Sequence, residues 1–216
     1  MKVEHLEVLV EEPSTEAALQ VLLPKIIGET SFDIYPHQCK DDLLKCLPDR
    51  LKGYAKWLPD NSRILVVVDR DGDDCRELKT RLERMAAQAK LTTRSKAGSS
   101  PYKVVNRIVI EELEAWYFGD WTAVRTAYPR VAATITSQAG YRDPDLIRGG
   151  TWEAFQRVLQ NAGYFKGGLR KIEAARTIAP HMDPRRNTSQ SFKIFYGALL
   201  EMAPAAASAM PEKSAK

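Results

Sequence analysis

The sequence predicts an α/β fold in which a mainly parallel sheet is flanked by helices and followed by a helical C-terminal extension. Strand-like and helix-like segments alternate along the first half of the chain, which is typical of a parallel sheet with helices on both faces. The continuous apolar run over residues 64–68 indicates a strand buried on both faces. After Trp121 the strand-like patterns stop, so the remainder of the chain is expected to add helices only.

Each element follows from its apolar periodicity and from the residues at its ends. The predicted strands cover residues 3–10, 32–36, 63–68, 90–94 and 104–110. The predicted helices cover residues 17–27, 41–57, about 74–85, 152–161, 168–179 and 189–202. Ser14 or Thr15 is expected to cap the first helix and Asp73 or Asp74 the third, because side-chain oxygens there accept free backbone N–H groups. Gly28 is expected to end the first helix.

The length of 216 residues is sufficient for one sizeable core, and a composition with 44% hydrophobic and 28% charged residues is ordinary for a globular protein. We expect a metal-binding α/β core over residues 1–120 and a basic helical extension packed on it over residues 121–203. Residues 204–216 are rich in Ala and Pro and are predicted to form a disordered tail.

The sequence also predicts a cytoplasmic protein that makes no contact with a membrane. It contains no apolar run near the ~20 residues that span a bilayer, and its N-terminus lacks the basic and apolar regions of a signal peptide. The three cysteines, Cys39, Cys46 and Cys75, form no metal-binding pattern, which fits a reducing compartment without disulfides. We expect all three to be small buried apolar residues.

Charge is distributed unevenly along the chain. Residues 1–120 carry 18 Lys and Arg against 21 Asp and Glu, whereas residues 121–216 carry 14 against 7. An acidic centre that binds metal beside a basic surface that holds phosphates is the arrangement that a phosphodiester-cleaving enzyme needs. The alternative is that the positive excess only promotes solubility.

Acidic residues are clustered where three of the predicted strands end. The clusters are Glu11, Glu12 and Glu16, then Asp69, Asp71, Asp73 and Asp74, and finally Glu112 and Glu114. The carboxyl ends of parallel strands share one edge of a sheet, so these side chains are expected to converge there. Their mutual repulsion requires a counter-charge, and carboxylate oxygens suit Mg²⁺ or Mn²⁺. Alternatively, Glu16, Asp73 and Asp74 only stabilise helix N-termini, and Glu11 and Glu12 are surface charges.

Basic residues in the extension are candidates for binding phosphate. Lys166, Arg170 and Lys171 lie in a glycine-containing segment whose backbone can approach phosphate closely, and Lys171 is the predicted catalytic cation. Arg185 and Arg186 form a second basic pair in a predicted loop. In both cases the alternative is an ordinary solvated surface.

Two other residue groups are expected to have structural roles. His5, His37 and His181 are far apart in sequence and form no catalytic or zinc-binding pattern. The aromatic residues of segment 116–121 are predicted to belong to the core, because they follow a buried strand and lead into the helical part of the chain.

Several of these motifs resemble a known nuclease family. Segment 10–16, Val-Glu-Glu-Pro-Ser-Thr-Glu, resembles the Val-Glu-Gly-x-x-x-Glu opening of Toprim and OLD-family nuclease domains, and Asp69-Arg70-Asp71 resembles their Asp-x-Asp motif. Segment 112–116, Glu-Leu-Glu-Ala-Trp, with Gly119-Asp120 behind it, is similar to the Glu-Ile-Glu-Ala-Trp signature of a bacterial Toprim-like family catalogued as domain of unknown function 4276. Segments 164–176 and 187–192 also resemble that family.

The resemblance implies a Toprim-like fold and a role for each matching acid. Glu11 matches the Toprim glutamate, Asp69 and Asp71 match the metal-binding pair, and Glu16 and Glu114 match acids that bind a second ion. With the strand-end clusters, the predicted metal ligands are Glu11, Glu16, Asp69, Asp71, Glu112 and Glu114, and the predicted catalytic residues are Glu11, Asp69, Asp71 and Lys171. Glu12 stands where the family pattern has Gly, which alters the expected turn.

The function that the resemblance implies is a nuclease dependent on Mg²⁺ or Mn²⁺ that cleaves DNA or RNA. It also implies a role in defence against phage or as a toxin-like effector, beside an ABC-type ATPase partner. One alternative is a non-catalytic subunit that docks on such an ATPase or on nucleic acid, which Glu12 in place of Gly favours. Another is a phosphotransfer or nucleotide-hydrolysing enzyme, but no Gly/Lys phosphate loop follows a predicted strand.

Overall fold

A computed structural model describes residues 2–203 and contains a four-stranded, all-parallel sheet in the order β2-β1-β3-β4. The strands are β1 (His5–Val10), β2 (Ser31–Pro36), β3 (Ser62–Asp69) and β4 (Val104–Val109). The helices are α1 (Pro13–Ile27), α2 (Lys40–Trp57), α3 (Cys75–Gln88), α4 (Arg94–Ala97), α5 (Glu114–Gly119), α6 (Trp121–Ala127), α7 (Thr151–Asn161), α8 (Lys171–Ile178) and α9 (Gln190–Met202). This arrangement confirms the predicted α/β fold. The predicted tail, 204–216, lies outside the described residues.

Strand β3 is one of the two inner strands of the sheet, and every one of its residues is buried. Its side chains alternate between two hydrophobic clusters on opposite faces of the sheet. Leu65 and Val67 pack into a cluster with residues of α1, α8 and α9, while Val66 and Val68 pack into a cluster with α2 and α3. The continuous apolar run therefore reflects burial on both faces, as predicted.

The helices that follow the sheet share its core. Helix α8 packs against α1, and α9 packs against β4 and α1. Trp116, Tyr117 and Phe118 are each about 1% exposed, which confirms the prediction that these aromatic residues belong to the core. The indole Nε1–H of Trp116 donates a hydrogen bond to Ser191 Oγ at 3.1 Å and so joins α5 to α9.

One strand was predicted wrongly. Residues 90–94 form no strand; Thr93 makes a single parallel bridge to Val104, and α4 begins at the next residue. The Thr93 hydroxyl is hydrogen-bonded to Glu83 and lies close to Ser95, so its polar contacts fix this segment as a connection. Leu91 packs into the same cluster as residues of α3 and β4, whereas Lys90 and Thr92 are exposed.

Other differences concern helix bounds and the cysteines. Helix α8 begins at Lys171 and not at 168, and the short helices α5 and α6 were not predicted. Cys39 is exposed and the other two cysteines are partly buried, so the prediction of buried cysteines is wrong, although all three are free thiols as expected. None of the helices in the described part of the chain is both long and apolar enough to cross a membrane.

Candidate metal centre at the strand ends

The centre of the candidate site lies where β1 and β3 end side by side. These strands pair in parallel with Val10 opposite Val67, so Glu11 leaves β1 next to the end of β3. The Glu11 Oε2 atom accepts a hydrogen bond from the backbone N–H of Asp69 at 3.0 Å. This bond joins the first two acidic clusters at the edge where ligands bind in parallel sheets.

Asp69 is the most enclosed acid of the site. It is 4% exposed, and its burial raises its pKa well above the usual range. The negative charges of Glu11, Glu12, Glu114 and Asp71 raise this pKa further, so all four carboxylates lie near Asp69. The structure therefore brings acids from three separate strand ends into one region.

Glu114 enters this region from the first turn of α5. It is 1% exposed, and its Oε2 atom has no hydrogen-bond partner among the described residues. Burial raises the pKa of Glu114 to about 7, against the opposing effect of the Lys171 charge. Burial likewise raises the pKa of Glu11 to about 7, although its hydrogen bond from Asp69 lowers it. For both acids, the nearby positive charges and hydrogen bonds are therefore too weak to offset the effect of burial on the pKa.

Lys171 supplies positive charge to the centre from the C-terminal part of the chain. It is the first residue of α8, and its Nζ lies 3.7 Å from Glu12 Oε2. Burial lowers the pKa of Lys171, but the charges of Glu114, Glu12, Glu112 and Asp69 together raise it by more. Lys171 is therefore a cation held among the acids, and its predicted role in catalysis stays a prediction.

Lys40, which was not predicted, neutralises the outer acids. Its Nζ lies 2.6 Å from Asp71 and 2.9 Å from Asp73, and donates a hydrogen bond to the backbone oxygen of Arg70 at 3.0 Å. Asp71 is exposed and has a φ of 49°, which non-glycine residues seldom adopt. A lysine at the start of the helix that follows β2 was the available signal in the sequence, because loops after parallel strands meet at this edge.

The other strand-end acids differ from one another in their contacts, and two of them cap helices. Glu112 accepts hydrogen bonds from Thr151 Oγ1 and from the backbone N–H of Trp152, at 3.0 and 2.9 Å, and so caps α7. Asp74 accepts from two backbone N–H groups and caps α3, one of the two predicted possibilities. Glu16 is partly buried in the first turn of α1, and within residues 2–203 its carboxylate takes part in no hydrogen bond or ion pair.

The predicted phosphate-binding residues lie outside the acidic centre. Lys166 is exposed, Arg170 forms an ion pair with Glu173, and Arg185 forms one with Asp183. Arg186 donates two hydrogen bonds to Asp120, whose side chain is fully buried, at 2.8 and 2.9 Å. The Arg186 guanidinium therefore has a structural partner, and its role in phosphate binding stays a prediction.

A basic cleft, not foreseen from the sequence, lies beside the acidic centre. This open cleft of about 1030 Å³ is lined by more arginines than acids, namely Arg70, Arg142, Arg148 and Arg157 against Glu111, Asp143 and Asp145. Arg70 pairs with Glu111, which follows the end of β4, whereas the other three arginines form no ion pair with any described residue. They come from a loop without helix or strand periodicity and from α7, so only the fold brings them together.

A comparison with protein families decides the relationship of the chain. A family model described as "Domain of unknown function (DUF4276)" matches residues 10–200. The chain belongs to this family. The part of this DUF4276 protein that matches includes every strand-end acid and Lys171. No curated protein matches the chain, and no solved structure matches it.

The acidic centre of this DUF4276 protein fits a hard divalent cation in part. Its donors are carboxylate oxygens, and Glu114 Oε2 is buried without a partner. However, no three strand-end acids place ligand atoms within 4.8 Å of one another; among the described residues, only His5, Glu7 and Asp33 do so. The centre thus suits an ion bound by one or two carboxylates with water and phosphate as further ligands, and not a complete protein cage.

Proposed function

We propose that this DUF4276 protein is a nuclease that hydrolyses phosphodiester bonds with Mg²⁺ or Mn²⁺. The observation that carries the proposal is the burial of Asp69 and Glu114, with raised pKa values, beside Lys171 at the strand ends. Carboxylates that cost stability and gather at the ligand-binding edge of a sheet are typical of a functional site.

Asp69, Glu11 and Glu114 are the residues that would hold the ion. A divalent cation in such a site stabilises charge on phosphate oxygens and lowers the pKa of bound water. Lys171 is placed to stabilise the negative charge that builds up on the phosphate, and Glu12 orients its ammonium group. The arginines of the basic cleft would hold the nucleic-acid backbone beyond the scissile phosphate.

The finer assignments rest on the resemblance. The order of acids after β1, β3 and β4 supports a place among the Toprim and OLD-like nucleases. A role in defence against phage or as a toxin-like effector, with an ABC-type ATPase as partner, is part of the same proposal and has no support besides the resemblance.

The nuclease proposal is tested by incubating the protein with plasmid DNA and total RNA in Mg²⁺ or Mn²⁺. We expect Asp69→Asn to reduce cleavage at least about 100-fold, because a buried ligand is lost without a change in shape. Asp49→Asn, at an exposed site on α2, is the matched control and should cleave at the wild-type rate. Equal cleavage by the Asp69→Asn protein, with circular dichroism showing both variants folded, would refute the proposal.

The second candidate function is a non-catalytic subunit that docks on an ATPase or on nucleic acid. Two observations favour it: Glu12 replaces the Gly of the nuclease pattern, and Lys40 already neutralises Asp71. Calorimetric titration with Mn²⁺ separates the two functions. A nuclease is expected to bind Mn²⁺, and to lose this binding in Asp69→Asn. A docking subunit is expected to bind no Mn²⁺ at this position and to cleave neither plasmid DNA nor RNA.

A further inference from the structure

A second group of possible metal ligands lies on the sheet, away from the strand ends. In the register of β1 and β2, His5 lies opposite Ser31 and Glu7 lies opposite Asp33. His5 and Glu7 are two residues apart on β1 and so lie on the same face of the sheet, which Glu7 shares with Tyr54 of α2. One ligand atom from each of His5, Glu7 and Asp33 lies within 4.8 Å of the other two.

The hydrogen bonds of His5 define the state of its ring. The Ser31 hydroxyl donates its proton to the backbone oxygen of Glu4 at 2.8 Å, so it can only accept from His5 Nδ1 at 2.9 Å. The Nδ1 atom therefore carries a proton, and in the neutral ring Nε2 has its lone pair free. Metal-binding histidines are oriented by this same kind of hydrogen bond from the other ring nitrogen.

The second ring nitrogen of His5 faces two carboxylates and lies within hydrogen-bond distance of one of them, Glu7. Its Nε2 lies 3.1 Å from Glu7 Oε1 and 3.7 Å from Asp33 Oδ2. A lone pair and two negative oxygens at these distances repel one another unless a cation lies between them or Nε2 is protonated. Ligand atoms around a tetrahedral Zn²⁺ are about 3.3 to 3.6 Å apart, given bond lengths of about 2.0 to 2.2 Å, so the two distances from His5 Nε2 are close to those that an ion requires.

Glu7 is held in place by groups that do not neutralise it. It is 4% exposed, and its second oxygen accepts a hydrogen bond from the Tyr54 hydroxyl at 2.9 Å. The hydrogen bond from Tyr54 therefore orients the Glu7 carboxylate so that Oε1 points at His5. Asp33, on the exposed edge strand β2, is the third residue of the group.

We propose that His5, Glu7 and Asp33 bind a divalent transition-metal ion of the Zn²⁺ type, with water in the fourth position. A nitrogen ligand distinguishes this site from the all-oxygen acidic centre and favours Zn²⁺ over Mg²⁺. Glu7 lies on β1 and Glu11 directly follows it, four residues further along the chain, or about 13 Å if the backbone stays extended, so the two sites bind separate ions. The ion links the edge strand β2 to β1 and does not take part in the proposed nuclease reaction.

The test is calorimetric titration of the metal-free, full-length protein with Zn²⁺. We expect one ion per chain whose affinity falls at least about 100-fold in His5→Gln or Asp33→Asn and about 10-fold in Ser31→Ala, which removes the orienting hydrogen bond. Glu29→Gln, an exposed carboxylate in the turn before β2, is the matched control and should bind as the wild type does. The double variant Asp69→Asn/Glu114→Gln should also retain this ion.

Two results would overturn the proposal. One is Zn²⁺ binding that persists in His5→Gln and Asp33→Asn but disappears in Asp69→Asn/Glu114→Gln, which would place the ion at the strand ends. The other is no binding by the wild type up to millimolar Zn²⁺, which would show that His5 is only a protonated partner of the two carboxylates. Melting curves of the metal-free variants establish that each is folded, so neither result can arise from misfolding.

Discussion

At the scale of single residues, the acidic centre stores unfavourable electrostatic energy. Asp69 and Glu114 are almost fully buried, and the neighbours that raise the pKa of Asp69 are other carboxylates. The acids are compensated by lysines at two points only, Lys171 within the centre and Lys40 at its rim, as far as residues 2–203 show. Such a centre reduces the stability of the folded protein.

The first prediction is that Asp69→Asn stabilises the metal-free protein. The substitution removes one buried negative charge but leaves the backbone N–H of residue 69 bonded to Glu11. We expect a gain of about 1 to 2 kcal/mol, or an increase of roughly 2 to 8 °C in melting temperature. Differential scanning calorimetry in a chelator measures it, with Asp49→Asn as the unaffected control. A lower melting temperature for Asp69→Asn would show that Asp69 contributes a stabilising interaction instead.

The second prediction concerns pH. The pKa of Glu11 and of Glu114 rises from 4.5 to about 7 on folding, so the folded protein binds more protons than the unfolded chain between these values. Their stabilising contribution is complete below pH 4.5 and is lost as pH rises through about 7. On the order of 2 kcal/mol of unfolding free energy should be lost in total, since Glu11 is partly solvated.

Urea unfolding of the metal-free protein at pH 5.5 and pH 8 measures this loss. The double variant Glu11→Gln/Glu114→Gln is the control, because it cannot titrate at these positions and should show a smaller difference between the two pH values. If the double variant and the wild type lose the same unfolding free energy between pH 5.5 and pH 8, the loss does not arise from Glu11 and Glu114.

The sequence predicted some of these residues and missed others for a physical reason. Glu11 and Asp69 directly follow apolar segments and Glu114 lies four residues beyond Ile110, so the direction of parallel strands is enough to place all three at one edge of the sheet. Lys40 was missed because its partners lie more than 30 residues away and depend on the position of α2. His5 was expected to have a structural role, since its contact with Asp33 requires the register between β1 and β2.

At the scale of elements, Arg186 and Asp120 join the start of α6 to the segment before α9. Asp120 accepts hydrogen bonds from the backbone of Ala123 and of Asp183 as well as from Arg186. Two parts of the chain, the start of α6 and the loop containing Asp183 and Arg186, thus meet at one fully buried carboxylate. Charge compensation by Arg186 makes this arrangement tolerable in the interior.

The third prediction is that Arg186→Ala destabilises the protein by about 2 kcal/mol, because it leaves Asp120 buried without a charged partner. The melting temperature should fall by roughly 4 to 8 °C. Arg185→Ala removes an adjacent arginine whose partner is at the surface and should change the melting temperature by less than about 2 °C. If the two variants melt together, the Arg186–Asp120 pair does not stabilise the fold.

Element prediction succeeded where apolar patterns are long and failed where they are short. Strand β3 was evident because five consecutive apolar residues can only be buried within a sheet of this kind. Residues 90–94 have the β-branched composition of a strand, but polar bonds from Thr93 and the short path from α3 to β4 prevent further pairing. The start of α8 was predicted three residues too early, because residues 165–170 form a turn in which Phe165 and Gly168 have positive φ.

At the scale of the whole molecule, the acidic centre and the basic cleft form one continuous face. Arg70 follows Asp69 directly and lines the cleft, so the two regions meet at the end of β3. The uneven charge along the sequence indicated both signs of charge but not their adjacency, because Arg70 follows β3 whereas Arg142, Arg148 and Arg157 come from segments after β4. An extended polyanion can reach the centre across this face.

The fourth prediction is that the cleft binds nucleic-acid backbone. Replacing Arg142, Arg148 and Arg157 by Gln, in an Asp69→Asn protein that does not cleave, should weaken binding to all sequences. The slope of log affinity against log salt concentration should decrease by up to about 3 for duplex DNA. Fluorescence anisotropy at several salt concentrations measures it. Gln replacements of the exposed α3 residues Arg76, Arg81 and Arg84 are the matched control. An unchanged slope in the cleft variant would exclude this route.

The position of Lys171 on α8 has a consequence for how such proteins diverge. The acids of the centre come from the first 114 residues, whereas the lysine among them comes from a helix more than 50 residues later. A recombination event between these segments can yield a chimera with a sound backbone and an apolar residue in place of the ammonium group. That hybrid would carry the repulsion of the acids without the compensating charge of Lys171 and would be less stable than either parent.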